Sequence, residues 1–499
     1  MYDTLQRLCA YVDALRPLIY IHHFDARAVD ALLKQAVGDA EIYEYQDADG
    51  WVDFETKVPK MRYDLKAFLS AFDHQDGQPT FLVLKDAHHH LHDPEILARL
   101  KSIALKTLYH EHFQVTIFLV SSRLVIPNEI EKFITVFDIP LPGLADITEI
   151  IRAFRPAPDF TIDAQIVEEL ALSFKGLSEF EITQILNLAY QSDGVIDRHD
   201  ASLILQEKEQ AIKKQGMLEI LNFKETIDDI GGLEKLKEWL RKKAKIFQQL
   251  DQALKFGVDV PKGIMLIGMP GCGKSLAAKA TAHLFGAPLL RLDVGQLLGK
   301  YVGESEENLR RAIKIAEAVS PCVLWVDEIE KAFAGIGEQG GGSDVTTRLF
   351  GHFLTWIQEK ESTVFIVATS NDIAKLPAEF LRKGRFDELF FVDFPNAAER
   401  RNIFEIHLKK RRKWNRGIDS IKLVKETKGY SGADIEAVVK ETIENAFIDG
   451  KDAITTDNLL AVIATTKPLS KTLAEKVQKV REDLKKIDIK QASEGAASE

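Results

Sequence analysis

Residues 268–275 read GMPGCGKS, which matches the pattern Gly-x-x-x-x-Gly-Lys-Ser of a phosphate-binding loop. The apolar run IMLI at 264–267 predicts a buried strand before it, and residues 275–284 predict a helix after it. In that position, N–H groups of the glycine-rich backbone converge on phosphate oxygens. Lys274 would reach the β- and γ-phosphates, and the Ser275 hydroxyl would bind Mg²⁺. The octapeptide therefore predicts an α/β fold with a nucleotide site.

The other parts of a nucleotide-hydrolysing site follow in chain order. The apolar run CVLWV at 322–326 predicts a strand that ends in Asp327 and Glu328, 53 residues after Lys274. Asp327 would hold the metal, and Glu328 would orient or deprotonate the attacking water. A further strand at 364–368 leads to Asn371, whose amide is a candidate to bind the water or the γ-phosphate. An ordinary turn cap is the alternative role for Asn371.

Two arginines lie close together in the sequence LRKGRFD at 381–387, at Arg382 and Arg385. Projected from one subunit into the site of the next, they would stabilise the charge on the transferring phosphoryl group, an effect worth about a thousandfold or more in rate. A solvated basic turn is the alternative. We therefore predict catalytic roles for Lys274, Asp327, Glu328, Asn371, Arg382 and Arg385.

Composition indicates an intracellular protein in a reducing compartment. The chain has 499 residues, 45% of them hydrophobic, and a net charge of −11, which does not favour general nucleic-acid binding. We find no apolar run near 18 residues and no signal-peptide pattern, so we expect no membrane association. The three cysteines do not make a disulfide framework, and the histidines at 88–90 and 92 favour a polar loop over a metal site.

Residues 223–470 resemble the AAA ATPase family, in the narrow sense that includes protein unfoldases and microtubule-severing enzymes. The segment IDDIGGLEKLKEWL at 227–240 is similar to the family's entry segment, and GYSGADIEAVVKETIENAF at 429–447 to its helical lid. The resemblance implies a P-loop AAA+ module, a parallel sheet flanked by helices, with a small helical lid and with ATP and Mg²⁺ as cofactors. The implied nucleotide-binding residues are Asp229, Ile230, Gly231, Gly268, Pro270, Gly271, Cys272, Gly273, Lys274, Ser275, Leu276, His407, Gly432 and Ala433, with Ser275 and Asp327 on the metal.

The same resemblance implies a ring, with a hexamer expected. In GKYVGESEENLRRAI at 299–313, Tyr301, Val302 and Gly303 would face the central channel, although Tyr301 could also be a half-buried aromatic. The glycine-rich stretch at 340–342 would be a second pore loop. The segment 335–362 lacks the Asp-Gly-Phe signal that many relatives use to couple neighbouring subunits, and it has WIQ at 356–358 near that place.

Cys272 departs from the threonine that the family usually has at this loop position. We favour the interpretation that a small residue is tolerated there. The alternative is redox regulation through a thiol whose pKa is lowered by the helix N-terminus.

The first 200 residues resemble a degenerate copy of the same module. FLVLKDAHHHL at 81–91 is similar to the acidic strand, with Asp86 kept and Ala87 in place of the catalytic glutamate, and KGLSEFEITQILNLA at 175–189 mirrors the lid. An independent α/β adaptor is the alternative. We predict a degenerate AAA-like domain at 1–200, a linker helix at 201–222, the large α/β ATPase subdomain at 223–395, the lid at 396–470, and a terminal helix with a polar, disordered tail at 471–499.

We therefore predict an ATP-hydrolysing homo-oligomeric ring that remodels or threads an unidentified protein substrate. The alternatives are a nucleotide-dependent regulatory switch or scaffold, and a nucleic-acid remodelling ATPase. The whole chain also resembles, more loosely, AAA proteins of cyanobacteria and algal plastid genomes. That resemblance implies a cytoplasmic or stromal location and a regulatory link to photosynthesis or carbon uptake.

Overall fold

The structure, a computed structural model, describes residues 2–73, 77–158, 160–214, 216–293, 295, 304–332, 344–382, 384–415, 417–451, 453–484 and 489–494. The chain divides into two compact units, residues 1–200 and 201–499, called here the N-terminal and C-terminal units. Among the described residues, no helix combines the length and apolar character needed to span a bilayer.

The N-terminal unit is built on a seven-stranded sheet in the order β4-β3-β2-β5-β6-β1-β7. Its strands are β1 Leu18–His22, β2 Ile42–Gln46, β3 Gly50–Asp53, β4 Pro59–Met61, β5 Thr80–Lys85, β6 Val115–Ser121 and β7 Ile134–Asp138. Its helices are α1 Tyr2–Asp13, α2 Ala26–Val37, α3 Leu65–Ala71, α4 Pro94–Tyr109, α5 Leu144–Ala153, α6 Ala164–Ser173 and α7 Glu179–Asp193.

The C-terminal unit has a second seven-stranded sheet in the order β14-β13-β9-β12-β11-β10-β8. Its strands are β8 Leu218–Leu221, β9 Gly263–Gly268, β10 Leu289–Leu292, β11 Cys322–Val326, β12 Val364–Ser370, β13 Glu388–Val392 and β14 Lys490–Gln491. Helices around this sheet are α8 Ala201–Lys214, α9 Glu234–Gln248, α10 Leu250–Phe256, α11 Lys274–Phe285, α12 Glu304–Val319, α13 Ile329–Ala332 and α14 Asp344–Glu359. The later helices are α15 Ala397–Lys410, α16 Ser420–Glu426, α17 Gly432–Ile448, α18 Thr456–Thr465, α19 Leu469–Thr472 and α20 Ala474–Leu484.

Burial on both faces of the sheet explains the continuous apolar run at 264–267. Ile264 and Leu266 pack in one core cluster with α9 and α11, whereas Met265 and Ile267 pack in another cluster with α12 and α14. Parallel strands covered on both faces need apolar side chains at every position. The neighbouring strands β9, β12 and β11 all run parallel, so the residues after them meet at one edge of the sheet.

The two units share their strand order, which confirms the prediction of a second α/β domain of the same kind before residue 201. In each sheet five parallel strands, β7-β1-β6-β5-β2 and β13-β9-β12-β11-β10, are followed by an antiparallel strand. The helical regions correspond as well. Ser178 with Glu181 and Ser431 with Asp434 form capping boxes at the starts of α7 and α17.

Two peripheral segments differ from expectation. The stretch predicted as a linker helix contains α8 and then β8, which pairs antiparallel with β10. The prediction of a disordered tail is wrong for residues 491–494, because β14 pairs with β13 and Ala492 is fully buried. The Ala492 N–H donates to the carbonyl of Phe391 at 2.9 Å, and its carbonyl accepts from the Leu236 N–H at 3.1 Å. Residues 495–499 lie outside the described part of the chain.

Candidate nucleotide-binding site

The phosphate-binding loop connects β9 to α11, as the sequence predicts, and close approaches of neighbouring atoms leave little room for a side chain at Gly268 and Gly271. A Cβ at Gly268, whose φ is +153°, would lie 2.0 Å from the carbonyl oxygen of Val392. At Gly271, with φ at +73°, a Cβ would lie 3.0 Å from both Ala433 Cβ and Ser431 Oγ. The loop therefore fits tightly between β13 and the start of lid helix α17.

Lys274 is buried inside the loop, with 6% of its surface exposed. Its Nζ donates to the carbonyl oxygens of Gly268 at 2.9 Å and Met269 at 2.7 Å. Burial lowers the pKa of Lys274 to about 8, although nearby carboxylates partly oppose this effect. A triphosphate would give this ammonium group the anionic partner that the loop carbonyls do not supply.

Thr369 holds the acidic pair at the end of β11. Its hydroxyl donates to Asp327 Oδ1 at 2.5 Å and accepts from the backbone N–H of Glu328 at 3.1 Å. Thr369 is 1% exposed, and Glu328 has a left-handed backbone with φ at 49°. One buried hydroxyl thus fixes both carboxylate-bearing residues, a role that the sequence analysis missed.

Asn371 lies beside Glu328, as expected of neighbouring parallel strand ends. Its Nδ2 donates to Glu328 Oε1 at 3.2 Å. Its backbone N–H donates to Glu330 Oε1 at 3.1 Å, and Glu330 is 5% exposed. Glu330 therefore holds the tip of β12 against α13. The third acidic residue in the sequence DEIE at 327–330 was the available signal for this role.

A cavity of about 570 Å³ adjoins the loop, a size usual for small-ligand sites. Its lining includes sixteen of the predicted residues: Asp229, Ile230, Gly231, Pro270, Gly271, Cys272, Gly273, Lys274, Ser275, Leu276, Asp327, Glu328, Asn371, His407, Gly432 and Ala433. Gly268 is absent from that lining and contacts Lys274 through its carbonyl instead. Four of the six catalytic candidates and most of the binding candidates thus converge on one cavity.

Two buried charged residues organise the entry segment on the cavity wall. Lys237 Nζ donates to the carbonyl of Ile230 at 2.7 Å. The Glu399 carboxylate accepts from the N–H groups of Leu233 at 3.0 Å and Asn396 at 2.9 Å. A Cβ at Gly232 would lie 2.4 Å from the Glu399 carboxylate. These contacts fasten the entry segment to the first turn of α15.

His407 also lines the cavity, on α15. Burial lowers the pKa of its imidazole, against the opposing effect of the Glu436 carboxylate. His407 is therefore neutral at neutral pH and can both donate and accept hydrogen bonds.

Cys272 lies in the loop with its Sγ 3.6 Å from the carbonyl oxygen of Pro270. Burial raises the pKa of its thiol to about 12, and the Lys274 ammonium only partly opposes this rise. The redox alternative relied on a lowered pKa, so the environment of Cys272 removes that basis.

Arg382 and Arg385 do not line the cavity of their own chain. Arg382 is exposed, and Arg385 Nη1 donates to the carbonyl of Glu379. The predicted pore-loop residues Tyr301, Val302 and Gly303 and the glycine-rich stretch at 340–342 lie outside the described residues. The Trp356 indole, near the place of the missing coupling signal, donates to Glu317 Oε1 at 2.8 Å.

The strand pairing in the two units gives an internal alignment. In the N-terminal unit, Thr80 of β5 lies beside Val115 of β6. In the C-terminal unit, Cys322 of β11 lies beside Val364 of β12. These are the first residues of matching strands, so the two pairs correspond in register.

This register places Lys85 at the position of Asp327 and Asp86 at the position of Glu328. Asp86 and Glu328 share a positive φ, at 53° and 49°. The prediction that Asp86 matches Asp327 and that Ala87 replaces Glu328 is therefore wrong by one residue. Alternating burial within a strand does not reveal such a shift when both faces are apolar.

Lys85 is neutralised inside the N-terminal unit by a buried cluster of charges. Its Nζ lies 2.9 Å from Asp30 Oδ1 and 2.9 Å from Glu44 Oε1, and Lys57 pairs with the same two carboxylates. Glu44 is fully buried. An ammonium group thus stands where the C-terminal unit has its candidate metal ligand.

Comparison with protein families agrees with this two-unit arrangement. Residues 264–394 match the "ATPase family associated with various cellular activities (AAA)", and residues 417–461 match the "AAA+ lid domain". Residues 4–139 match the "SpoVK-like AAA ATPase, N-terminal domain", and residues 145–215 match the second domain of the same group.

Two relatives align over nearly the whole chain. The AAA domain-containing protein ycf46 of Pyropia yezoensis is 35% identical over 473 residues, which cover 93% of this chain and 94% of the relative. The ycf46 protein of Guillardia theta is 35% identical over 93% of this chain and 92% of its own length. The cell division cycle protein 48 homologue of Archaeoglobus fulgidus is 32% identical over 59% of this chain and 40% of its own length.

Proposed function

Because the chain belongs to the AAA ATPase family, we propose that it binds ATP with Mg²⁺ in the cavity beside residues 268–275 and hydrolyses it to ADP and phosphate. The observation that carries the proposal is the convergence of Lys274, Asp327, Glu328 and Asn371 on that cavity. The Ser275 hydroxyl and the Asp327 carboxylate are oxygen donors of the kind that Mg²⁺ prefers. The metal would neutralise phosphate charge and orient the triphosphate.

The side chains divide the work of hydrolysis among them. Glu328 accepts a proton from the attacking water, and Asn371, bonded to Glu328 at 3.2 Å, orients that water. Lys274 leaves its loop carbonyls to bind phosphate oxygens and stabilise charge as the bond to the γ-phosphate breaks. Thr369 keeps Asp327 and Glu328 in place throughout.

The site needs a second copy of the chain. Arg382 and Arg385 are absent from the cavity of their own chain, which supports a role in a neighbouring subunit. We propose a closed homo-oligomeric ring, a hexamer, with these arginines acting in trans. Tyr301, Val302 and Gly303 would line its channel and move a protein substrate.

A regulatory switch is the second candidate function. It is favoured by the N-terminal unit, a domain of about 200 residues in which Lys85 stands at the position of the candidate metal ligand Asp327. In this alternative, ATP changes the assembly and so exposes or hides a surface of that unit. We place the protein in the cytoplasm, or in the plastid stroma where it is plastid-encoded, as its similarity to ycf46 proteins suggests.

Nucleotide binding is tested with Lys274→Ala and the control Lys375→Met, whose side chain is exposed at the end of the short 3-10 helix Ile373–Lys375. We expect Lys274→Ala to lose binding of a fluorescent ATP analogue and the control to keep it. Equal binding by both variants would refute the assignment of the site.

Motor and switch are separated with Tyr301→Ala. A pull-down by Glu328→Gln in ATP first identifies a client protein. The motor proposal predicts that Tyr301→Ala keeps ATP turnover but no longer remodels that client. Remodelling that survives this change favours the switch, and stimulation of turnover by DNA or RNA would favour a nucleic-acid substrate.

A further inference from the structure

The segment 381–387 is called here the arginine loop. Its last residue, Asp387, is fixed to the start of β9. Asp387 Oδ2 accepts from the N–H groups of Lys262 at 3.1 Å and Gly263 at 3.4 Å. The Asp387 N–H donates to the Gly263 carbonyl at 2.8 Å. Asp387 also forms an ion pair with Lys243 at 3.2 Å. The arginine loop is therefore joined to the start of β9, at the opposite end of this strand from the phosphate-binding loop.

The Lys262 side chain makes a second connection in the same place. Its Nζ donates to the carbonyl of Gly384 at 2.8 Å and to the carbonyl of Gln358 at 2.8 Å. Gly384 lies between Arg382 and Arg385, whereas Gln358 is in the last turn of α14. Carbonyls in a final helical turn lack partners within the helix, and an ammonium group there is favoured by the helix dipole.

We propose that Lys262 is a positioning residue for Arg382 and Arg385. Its ammonium group holds the backbone between the two arginines against the end of α14, so that both guanidinium groups are presented to the neighbouring site in a fixed geometry. The inference rests on the proposed function, in which those arginines complete the site of the next subunit. Lys262 acts through them and does not touch the nucleotide of its own chain.

The hydrogen bond from Lys262 to Gln358 also connects the arginine loop to α14 and, through α14, to α12. The last turns of α14 are fixed to α12 by the hydrogen bond from Trp356 to Glu317. A shift of α14 would therefore reach the arginine loop through the Lys262 ammonium group. This connection lies close to the position of the Asp-Gly-Phe signal that the sequence lacks.

Complementation between full-length variants tests the proposal. Lys262→Met keeps the length of the side chain and removes the ammonium group, Lys262→Arg restores donors, and Lys375→Met is the surface control. We expect Lys262→Met to bind ATP within about twofold of the unchanged protein and to lose about 10- to 100-fold in kcat, since misplacement of a catalytic group by about 1 Å costs on this order. Lys262→Arg should recover part of the loss.

Mixing then shows whether the defect acts in trans. Lys274→Ala subunits cannot hydrolyse ATP but carry intact arginine loops, so their addition to Lys262→Met subunits should raise turnover above the sum of the separate preparations. Failure of that rescue, while the Arg382→Ala/Arg385→Ala variant is rescued, overturns the role of Lys262 and leaves the proposed function intact. Unchanged turnover in the Arg382→Ala/Arg385→Ala variant overturns the trans site itself.

Discussion

Replacing Thr369 by valine removes one hydroxyl and keeps the shape of the side chain. In the structure that hydroxyl donates to Asp327 Oδ1 at 2.5 Å and accepts from the Glu328 N–H at 3.1 Å. A hydrogen bond to a charged group is worth about 1.5–3 kcal/mol. If this loss falls on the transition state, it lowers kcat by about 10- to 160-fold, because each 1.36 kcal/mol is about tenfold.

The assay is steady-state phosphate release at saturating ATP, with affinity measured separately. Thr442→Val is the matched control, because the Thr442 hydroxyl is also buried and donates to a backbone carbonyl, that of Val438 at 2.7 Å in the lid. We expect the control to keep kcat and Thr369→Ser to retain most of it. A kcat for Thr369→Val within twofold of the control would refute the argument that this hydroxyl positions the acidic pair.

Three further predictions concern other buried groups. Because burial lowers the pKa of Lys274 to about 8 and a bound triphosphate favours its charged form, ATP affinity should be about tenfold weaker at pH 9 than at pH 7, with proton uptake on binding seen by calorimetry in two buffers. Without nucleotide, the unfolded chain binds the extra proton between about pH 8 and 10.5, so the Lys274 contribution to stability rises with pH across that window. An ATP affinity that does not change with pH would contradict the first statement, and a Lys274 contribution that does not rise across this window would contradict the second. Burial raises the pKa of the Cys272 thiol to about 12, so this thiol should react with iodoacetamide at neutral pH at least about tenfold more slowly than in the denatured chain. Cys272→Thr should keep normal turnover. Rapid labelling of Cys272 in the folded protein would support the redox hypothesis instead. Lys85→Met removes one of the two ammonium groups that pair with the buried Glu44 carboxylate, so we expect the free energy of unfolding of the N-terminal unit to fall by about 3–5 kcal/mol in a denaturant titration. The control is Lys34→Met, which removes an exposed ion pair. A smaller effect for Lys85→Met than for this control would show that the buried cluster does not stabilise the unit.

The sequence predicted which residues meet at the cavity because they lie in short motifs at the ends of buried strands. Lys274, Asp327 and Asn371 each follow an apolar run, and parallel strands bring such ends to one edge. The second copy of the fold was predictable for the same reason, since its strands recur in the same order.

Contacts between distant segments could not be predicted in the same way. Glu399 binds Leu233, 166 residues away in the sequence. Lys262, which directly precedes β9, binds the Gly384 carbonyl of the arginine loop, 122 residues away. The burial of Ala492 depends on an apolar site that exists only once β13 and α9 have assembled. In each case the neighbouring sequence gives no signal of the contact, because the contact depends on a segment that is distant in the chain.

The central claim is that Glu328 is the base of an ATP-hydrolysing site, and single-turnover hydrolysis by Glu328→Gln tests it most directly. The side chain keeps its size and loses its ability to accept the proton from water. We predict that ATP remains bound while phosphate formation slows by about 100-fold or more. Phosphate formation from bound ATP at the rate of the unchanged protein would contradict the account.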